Sequence, residues 1–497
     1  MKSVNRNLKL FNGTKFFIGL MTLFLMLLIT SCGDDDNGAV VITNDIVEIA
    51  SDTEDLTSLV AALSKFPDLV TALSDDAGSY TVFAPTNDAF SALLTAIGQS
   101  SIDDVPEDVL KRILEYHVIA GSALLSSQLT DGTNATTLLN EDVAVTVIAG
   151  ASGTEVSINS SDVTTPDVNA SNGVVHIIDA VLVPSLEASI LNTIVEPAYF
   201  NKNYSILTAA VVKAELLTTL LGAGPFTLFA PNNEAFTAAG ITSLDNLTKE
   251  DLTPILQYHV LNSEVKQADL PATGSAVTTL NGDFYLSINT NGVYINGSTQ
   301  VTNTDLDYDN GVVHTISRTL TPSSQNVVEI AVAASEATSG AEFGQLVAAL
   351  TAVENDGTAP DLITALSDAN GSFTVFAPTD AAFQALYDKV PDGDMDGDND
   401  IDDLVSAAGG LGTIATVLQY HVLNTRVFST DIPNVLDGNT TATITPLAGG
   451  TWTLNSTLTI TDVDGALTIG TTDAEIIDTN ILGTNGVIHV INQVILP

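Results

Sequence analysis

All six histidines of this chain fall at two kinds of position. His117, His259 and His421 each follow a tyrosine (Tyr116, Tyr258 and Tyr420), and His176, His314 and His489 each close an Asn-Gly-Val-(Val/Ile)-His stretch. Neutral imidazole is a frequent metal ligand and general base, so a histidine pair that recurs three times raises both chemistries. Zinc would require more donors than the pair supplies. No acidic residue stands at a common offset from both histidines in all three copies, and the chain has one cysteine, Cys32. Ser and Asp are abundant near the histidines, but no Gly-x-Ser-x-Gly elbow, His-Glu-x-x-His helix or phosphate loop accompanies them. The expectation is that His176, His314 and His489 are structural, bonded within or beside a core, and that no residue is catalytic.

A second chemistry belongs to the third copy alone. Between Phe383 and Tyr420 it is 11 to 15 residues longer than its siblings. The excess carries Asp392, Asp394, Asp396, Asp398 and Asp403 in a D-x-D-x-D-G setting, with carboxylates at the first, third, fifth and twelfth places. Hard oxygen donors around a glycine turn suit Ca²⁺. Asn399 stands where an apolar residue is usual, and Asp403 is shorter than the customary Glu. The sequence leaves a calcium loop and a solvated acidic insertion equally open.

The third chemistry is at the start. Residues 1–31 hold four cations (Lys2, Arg6, Lys9, Lys15), no acid, and an apolar run from Phe16 to Ile29 that ends at Ile29-Thr30-Ser31-Cys32. That is the layout of a secretory signal, and the run is too short for a membrane span. Its ending resembles the lipobox of bacterial lipoproteins, which implies lipidation of Cys32. Residues 32–44 then read as the lipidated Cys and an acidic tether, Gly33-Asp34-Asp35-Asp36. The expected location is the outer membrane of a Gram-negative bacterium, on the exposed face, with the lipid as the membrane attachment. Without the signal, 10 basic residues face 60 acidic ones, which excludes nucleic acid as a partner.

Elements must hold these residues in place, and they repeat too. Tyr80–Phe90, Pro225–Phe236 and Ser372–Phe383 are variants of one segment, and their prolines Pro85, Pro231 and Pro378 lie 146 and 147 residues apart. Such a period suits one compact domain per copy and gives modules at residues 45–184, 185–322 and 323–497. Ser51-Asp52-Thr53-Glu54 has capping-box spacing ahead of Leu56, Leu59, Val60 and Leu63, which predicts a helix there. The segment before Pro85 alternates as a strand, and Thr86 or Asn87 should cap the helix behind it, as should Asn232 or Asn233 and Thr379 or Asp380. A further helix should run from Pro106 to His117. Alternation at Val143, Val145 and Val147, a hairpin turn at Asn291-Gly292, and a last strand with His314 on its inward row complete the unit. Helices first and strands second argue for α+β with an antiparallel sheet.

The FTVFAPT-type, YHV and NGVVH segments together resemble the fasciclin-like domain family, in the same order three times over residues 45 to 497. The resemblance implies a β-wedge or sandwich with helices packed around it, a role in adhesion or matrix contacts, and no catalysis. It also implies that Tyr116, His117, Tyr258, His259, Tyr420 and His421 lie in a binding region, together with a loop before the last strand. That loop corresponds to Pro166-Asp167-Val168, Thr304-Asp305-Leu306 and Asp478-Thr479-Asn480. The expected partner is a surface or matrix protein or a glycan. The rival expectation is a carbohydrate-binding accessory lipoprotein of a polysaccharide uptake system; aromatics at 6% and a single tryptophan, Trp452, weigh against it.

Overall fold

The computed structural model describes residues 42–150, 153–270, 274–357, 361–390, 401–436, 438–439, 441–462 and 473–496. Residues 44–497 form one compact unit. Within it the same module is built three times. In module 1 the strands are β1 (Tyr80–Pro85), β2 (Val118–Ala120), β3 (Asn134–Thr136), β4 (Asp142–Gly150), β5 (Gly153–Ile158), β6 (Ser161–Ala170) and β7 (Gly173–Ile178). Module 2 repeats them as β8 (Phe226–Pro231), β9 (Val260–Leu261), β10 (Ala276–Thr279), β11 (Gly282–Asn289), β12 (Gly292–Ile295), β13 (Thr299–Tyr308) and β14 (Gly311–Ile316). Module 3 has β15 (Phe373–Pro378), β16 (Val422–Leu423), β17 (Thr441–Ile444), β18 (Trp452–Asn455), β19 (Thr459–Asp462), β20 (Ala474–Gly483) and β21 (Gly486–Ile491).

Each sheet runs in the order β2-β1-β7-β6-β5-β4-β3, or its equivalent. The first and last long strands of a module therefore lie side by side, and they are parallel: β1 with β7, β8 with β14, β15 with β21. This corrects the expectation of a purely antiparallel sheet. A parallel pair needs a long crossover, and here the whole middle of the module is that crossover. The remaining pairs are antiparallel, and those from β3 to β7 are hairpins.

The central pair is covered on both faces. Val82 and Ala84 point into a core shared with the amino-terminal helices, while Phe83 points into a second core formed with the hairpins. The same alternation makes Val313 a helix-side core residue and sends His314 to the hairpin side. Val313 is thus as buried as its neighbour His314. Gly173 and Gly311 permit this packing, because a Cβ at either would lie 2.2 or 2.1 Å from the carbonyl oxygen of Tyr80 or Phe226 on the partner strand.

Of the capping expectations, the first member of each pair is right. Thr86, Asn232 and Thr379 accept from the backbone N–H of Ala89, Ala235 and Ala382. Their neighbours reach elsewhere: Asn87, Asn233 and Asp380 accept from Ser58, Ile206 and Gln345 N–H, capping an earlier helix of the same module. The predicted box at Ser51 is not formed. Ser51 and Asp52 end the helix Ile46–Asp52, whose box is Asp45 with Glu48. The helix Glu107–Tyr116 has Pro106 and His117 at its ends, as its sequence requires.

Candidate functional site

The histidines occupy two layers of each module, and backbone groups fix their tautomers. His117 ends its helix, and its Nδ1–H donates to Ile113 O at 2.7 Å, one turn back. Its Nε2 accepts from Leu182 N–H at 2.9 Å, in the segment after the last strand. His259 and His421 repeat the pattern with Ile255 O and Leu320 N, and with Val417 O and Ile495 N. Each ring thus ties a helix end to the end of its module. Burial, partly offset by the helix carbonyl, pushes all three down to about 4.

The second histidine uses the opposite tautomer. His176 Nε2–H donates to Leu124 O at 2.9 Å and its Nδ1 accepts from Asp167 N–H at 3.3 Å. His314 pairs with Val265 O and Asp305 N, and His489 with Val427 O and Asn480 N. Asp167, Asp305 and Asn480 adopt left-handed φ values of 59°, 59° and 65° inside a register shift of the last hairpin. A bulge of this kind re-aims the chain, here turning an amide onto the imidazole. The three side chains then accept from the N–H of Ser126, Gln267 and Ser429, which begin short 3₁₀ turns. Burial works to raise Asp167, but the hydroxyl and amide of Ser126 hold it below the usual carboxylate range.

Two roles in the repeated segments escaped the sequence reading. Asn172, Asn310 and Asn485, just before the glycine of Asn-Gly-Val, look like turn residues but are buried. Each accepts from an N–H early in its module (Ile46, Ile194, Val327) and donates to the end of a later helix (Leu73, Leu220, Leu366). Thr81, Thr227 and Thr374 donate to Ser122 O, Ser263 O and Thr425 O, and accept from Leu124, Val265 and Val427 N–H. A polar residue at an inward strand position, repeated three times, was the available signal for the threonines.

The tyrosines of the Tyr-His pairs are bonded internally as well. Tyr116, Tyr258 and Tyr420 donate to Asp142 O, Asp283 O and Thr451 O at 2.8 Å. All six residues of the three pairs are at most 5% exposed, so their side chains cannot meet a partner directly. Any binding by the region around these pairs would therefore run through its exposed neighbours. Behind the first histidine each module has an apolar cavity, about 50 Å³ in module 2 and about 30 Å³ in modules 1 and 3. In module 2 it is lined mostly by aliphatic residues such as Leu228, Leu256 and Val260, with Thr208, Thr219, Gln257 and His259, and both nitrogens of His259 are already bonded.

Cys32, Asp392, Asp394, Asp396 and Asp398 lie outside the described residues. Asp403 lies in the first turn of the helix Ile401–Ala408 and is buried. Among the described residues no group of three or more His, Cys, Asp or Glu is arranged to hold a metal ion. No single described helix is long and apolar enough to cross a membrane.

Three copies of one scaffold, with the same side chains in the same internal bonds, are matched by the fasciclin domain at residues 54–184, 202–322 and 343–497. The chain belongs to the fasciclin domain family. Transforming growth factor-beta-induced protein ig-h3 of Sus scrofa is 30% identical over 300 residues, 56% of this chain and 42% of its own length. The protein of the same name from Oryctolagus cuniculus is 28% identical over 461 residues, 92% of this chain and 58% of its own. The chain therefore spans about half the length of these fasciclin relatives. A solved fasciclin domain pair, from the insect cell adhesion molecule fasciclin I, is 19% identical, covers 54% of this chain and 97% of its own, and superposes with a TM-score of 0.24. Fasciclin domains are adhesion and interaction modules.

Proposed function

We propose that this chain is a lipid-anchored, non-catalytic protein of the cell surface whose three fasciclin modules present contact surfaces to a protein or matrix partner. The observation that carries the reading is the fate of the repeated polar residues. Both histidines, the tyrosine, the threonine and the asparagine of every module are buried and bonded to backbone, so the repeated chemistry is structural and the exposed surface is left for recognition. A strongly acidic surface keeps the modules apart from polyanions. Three modules on one tether strengthen weak contacts through effective concentration. The glycan reading depends on exposed aromatic platforms, and the only tryptophan, Trp452, is fully buried in module 3. A protein partner is therefore the stronger form of the proposal.

The test compares cells carrying the intact gene, a deletion and a Cys32→Ser variant, with purified residues 33–497 as competitor. Loss of attachment to cells or matrix in the deletion, release of the Cys32→Ser protein from the membrane, and inhibition by competitor are the expected results. Attachment unchanged in all three arms would remove the adhesion reading; retention of the Cys32→Ser protein in the membrane would remove the anchor.

A further inference from the structure

The position that presents its amide to the second histidine is Asp167 in module 1, Asp305 in module 2 and Asn480 in module 3. Its task inside the module needs only an acceptor. Asp167 and Asp305 meet it with a carboxylate oxygen, and Asn480 meets it with Oδ1, at 2.8 Å from Ser429 N. An aspartate would serve the third module as well as it serves the other two. The second atom of the side chain is what differs. Asn480 Nδ2 donates to Ser429 Oγ at 2.7 Å and, across the boundary, to Gly297 O of module 2 at 2.9 Å.

Gly297 lies in the turn between β12 and β13 at φ +69°, and a Cβ there would come within 2.6 Å of Phe428 Cβ and 2.8 Å of the Asn480 side chain. Side chains of module 3 press against the Gly297 backbone at this point. The surrounding bonds follow the same pattern of an amide donor facing a backbone carbonyl. Asn289 of module 2 donates to Thr430 O, and Asn434 of module 3 donates to Ile288 O, each at 2.7 Å. Beside them the Arg426 guanidinium of module 3 stacks 3.7 Å from the ring centre of Tyr285. The other modules lack this chemistry: the strand position of Tyr285, two residues after the tyrosine-bonded carbonyl residue, is Ala144 in module 1 and Thr453 in module 3.

We propose that Asn480 is the residue that locks module 3 onto module 2, because the amide of Asn480 supplies a donor to Gly297 O where a carboxylate would set acceptor against acceptor. A carboxylate at this place cannot donate, and bringing its charge against a carbonyl in a closed joint is unfavourable.

The chain itself provides the control, since Asp at the equivalent place is compatible with a folded module. Residues 33–497 contain no cysteine, so spin labels can be placed at Leu280→Cys in module 2 and Ile477→Cys in module 3, both exposed. Pulsed electron resonance on this doubly labelled chain should give one sharp separation. Asn480→Asp should cost it that sharp peak, while the emission of buried Trp452 stays unchanged and so reports an intact module 3. Asp305→Asn, the reverse change in module 2, should leave the peak sharp. A sharp peak retained in Asn480→Asp would overturn the proposal, and so would loss of the Trp452 signal, which would place Asn480 in the fold of its module and not in the joint.

Discussion

Where module 1 meets module 2, the contact is a continuation of the core. The buried side chains of both modules form a single connected cluster, with Ile190, Ile194 and Phe200 from the connecting region inside it. A buried charged pair crosses this apolar contact, besides the more exposed pair of Lys202 with Asp104. Glu187 is fully buried, accepting from Arg112 Nε of module 1 at 2.7 Å and from the Tyr199 hydroxyl of module 2 at 3.1 Å. Burial, with Glu187 adding to it, pushes the Tyr199 phenol far above its ordinary value. Where module 2 meets module 3, no apolar cluster among the described residues spans the boundary, and the described contacts are amide–carbonyl bonds, the Arg426 stack and a tilted Tyr285–Phe428 ring pair. Of the six buried side-chain polar atoms without a protein partner among the described residues, five belong to Ser287, Arg426, Thr430 and Asp431 at this second joint. Leaving such a group unpaired costs about 1–3 kcal/mol. The first joint is therefore part of the fold, whereas the second is a docking contact that can open with both modules intact.

The largest expected effect is at the first joint. Phe200→Ala should lower the stability of modules 1 and 2 by about 3–5 kcal/mol, the range for a buried phenylalanine. Calorimetry should show both modules melting in one lowered transition, with module 3 unmoved by the criterion of Trp452 emission. Separate melting of modules 1 and 2 would break the comparison.

Acid distinguishes the modules next. A ring kept neutral by the fold binds fewer protons than the unfolded chain between about 4 and 6.5, so its contribution is complete above pH 6.5 and is lost as the pH falls towards 4. Each such ring is worth about 1.4 kcal/mol per pH unit over that window. Module 3 has both of its rings, His421 and His489, pushed down to about 4, while burial lowers His176 and His314 of the other modules less far, opposed there, as at His489, by a backbone carbonyl and an Asp. Module 3 should accordingly lose stability most steeply in urea titrations between pH 6.5 and 4, followed through Trp452.

Glu187→Gln tests the charged pair within the apolar joint. It should cost about 1–3 kcal/mol, because the Arg112 guanidinium loses its buried anionic partner while packing is retained; chemical denaturation of modules 1 and 2 measures it. The smallest effect belongs to the second joint and has the opposite sign. Burial raises the Asp431 carboxyl, with Ser287 nearby and Phe428 N–H partly holding the charged form. A carboxyl raised in the folded state stabilises below its unfolded value and loses that contribution as the pH rises through its folded value. Asp431→Asn removes this buried carboxyl while keeping an acceptor for Phe428 N–H, and should tighten docking by roughly 1 kcal/mol. A narrower separation between the two spin-labelled modules would show it.

The sequence carried the module and its local elements well. Pro106 and His117 bound one helix, Thr86, Asn232 and Thr379 cap another, and the alternation around His314 placed that ring inside. Those features rest on neighbours within a few residues, so composition and spacing suffice to read them. The capping box at Ser51 failed because Asp45 and Glu48, a few residues upstream, satisfy the same spacing and begin the helix first. Pairing of β1 with β7 was illegible because about ninety residues separate the strands, and neither strand marks its partner's direction.

What the amino-acid order determined by itself was therefore repetition, patterning and the expectation of internal histidines. Tertiary structure decided which of the polar positions became struts, turning Asn172 from a turn residue into a clasp between Ile46 and Leu73. It also decided that equivalent residues of three similar modules do different things: Asp167 and Asp305 end their work within their own turn, while Asn480 reaches Gly297. The physical reason is that a hydrogen bond is local in space. A sequence can specify a donor, but only the folded chain determines which distant carbonyl stands opposite it.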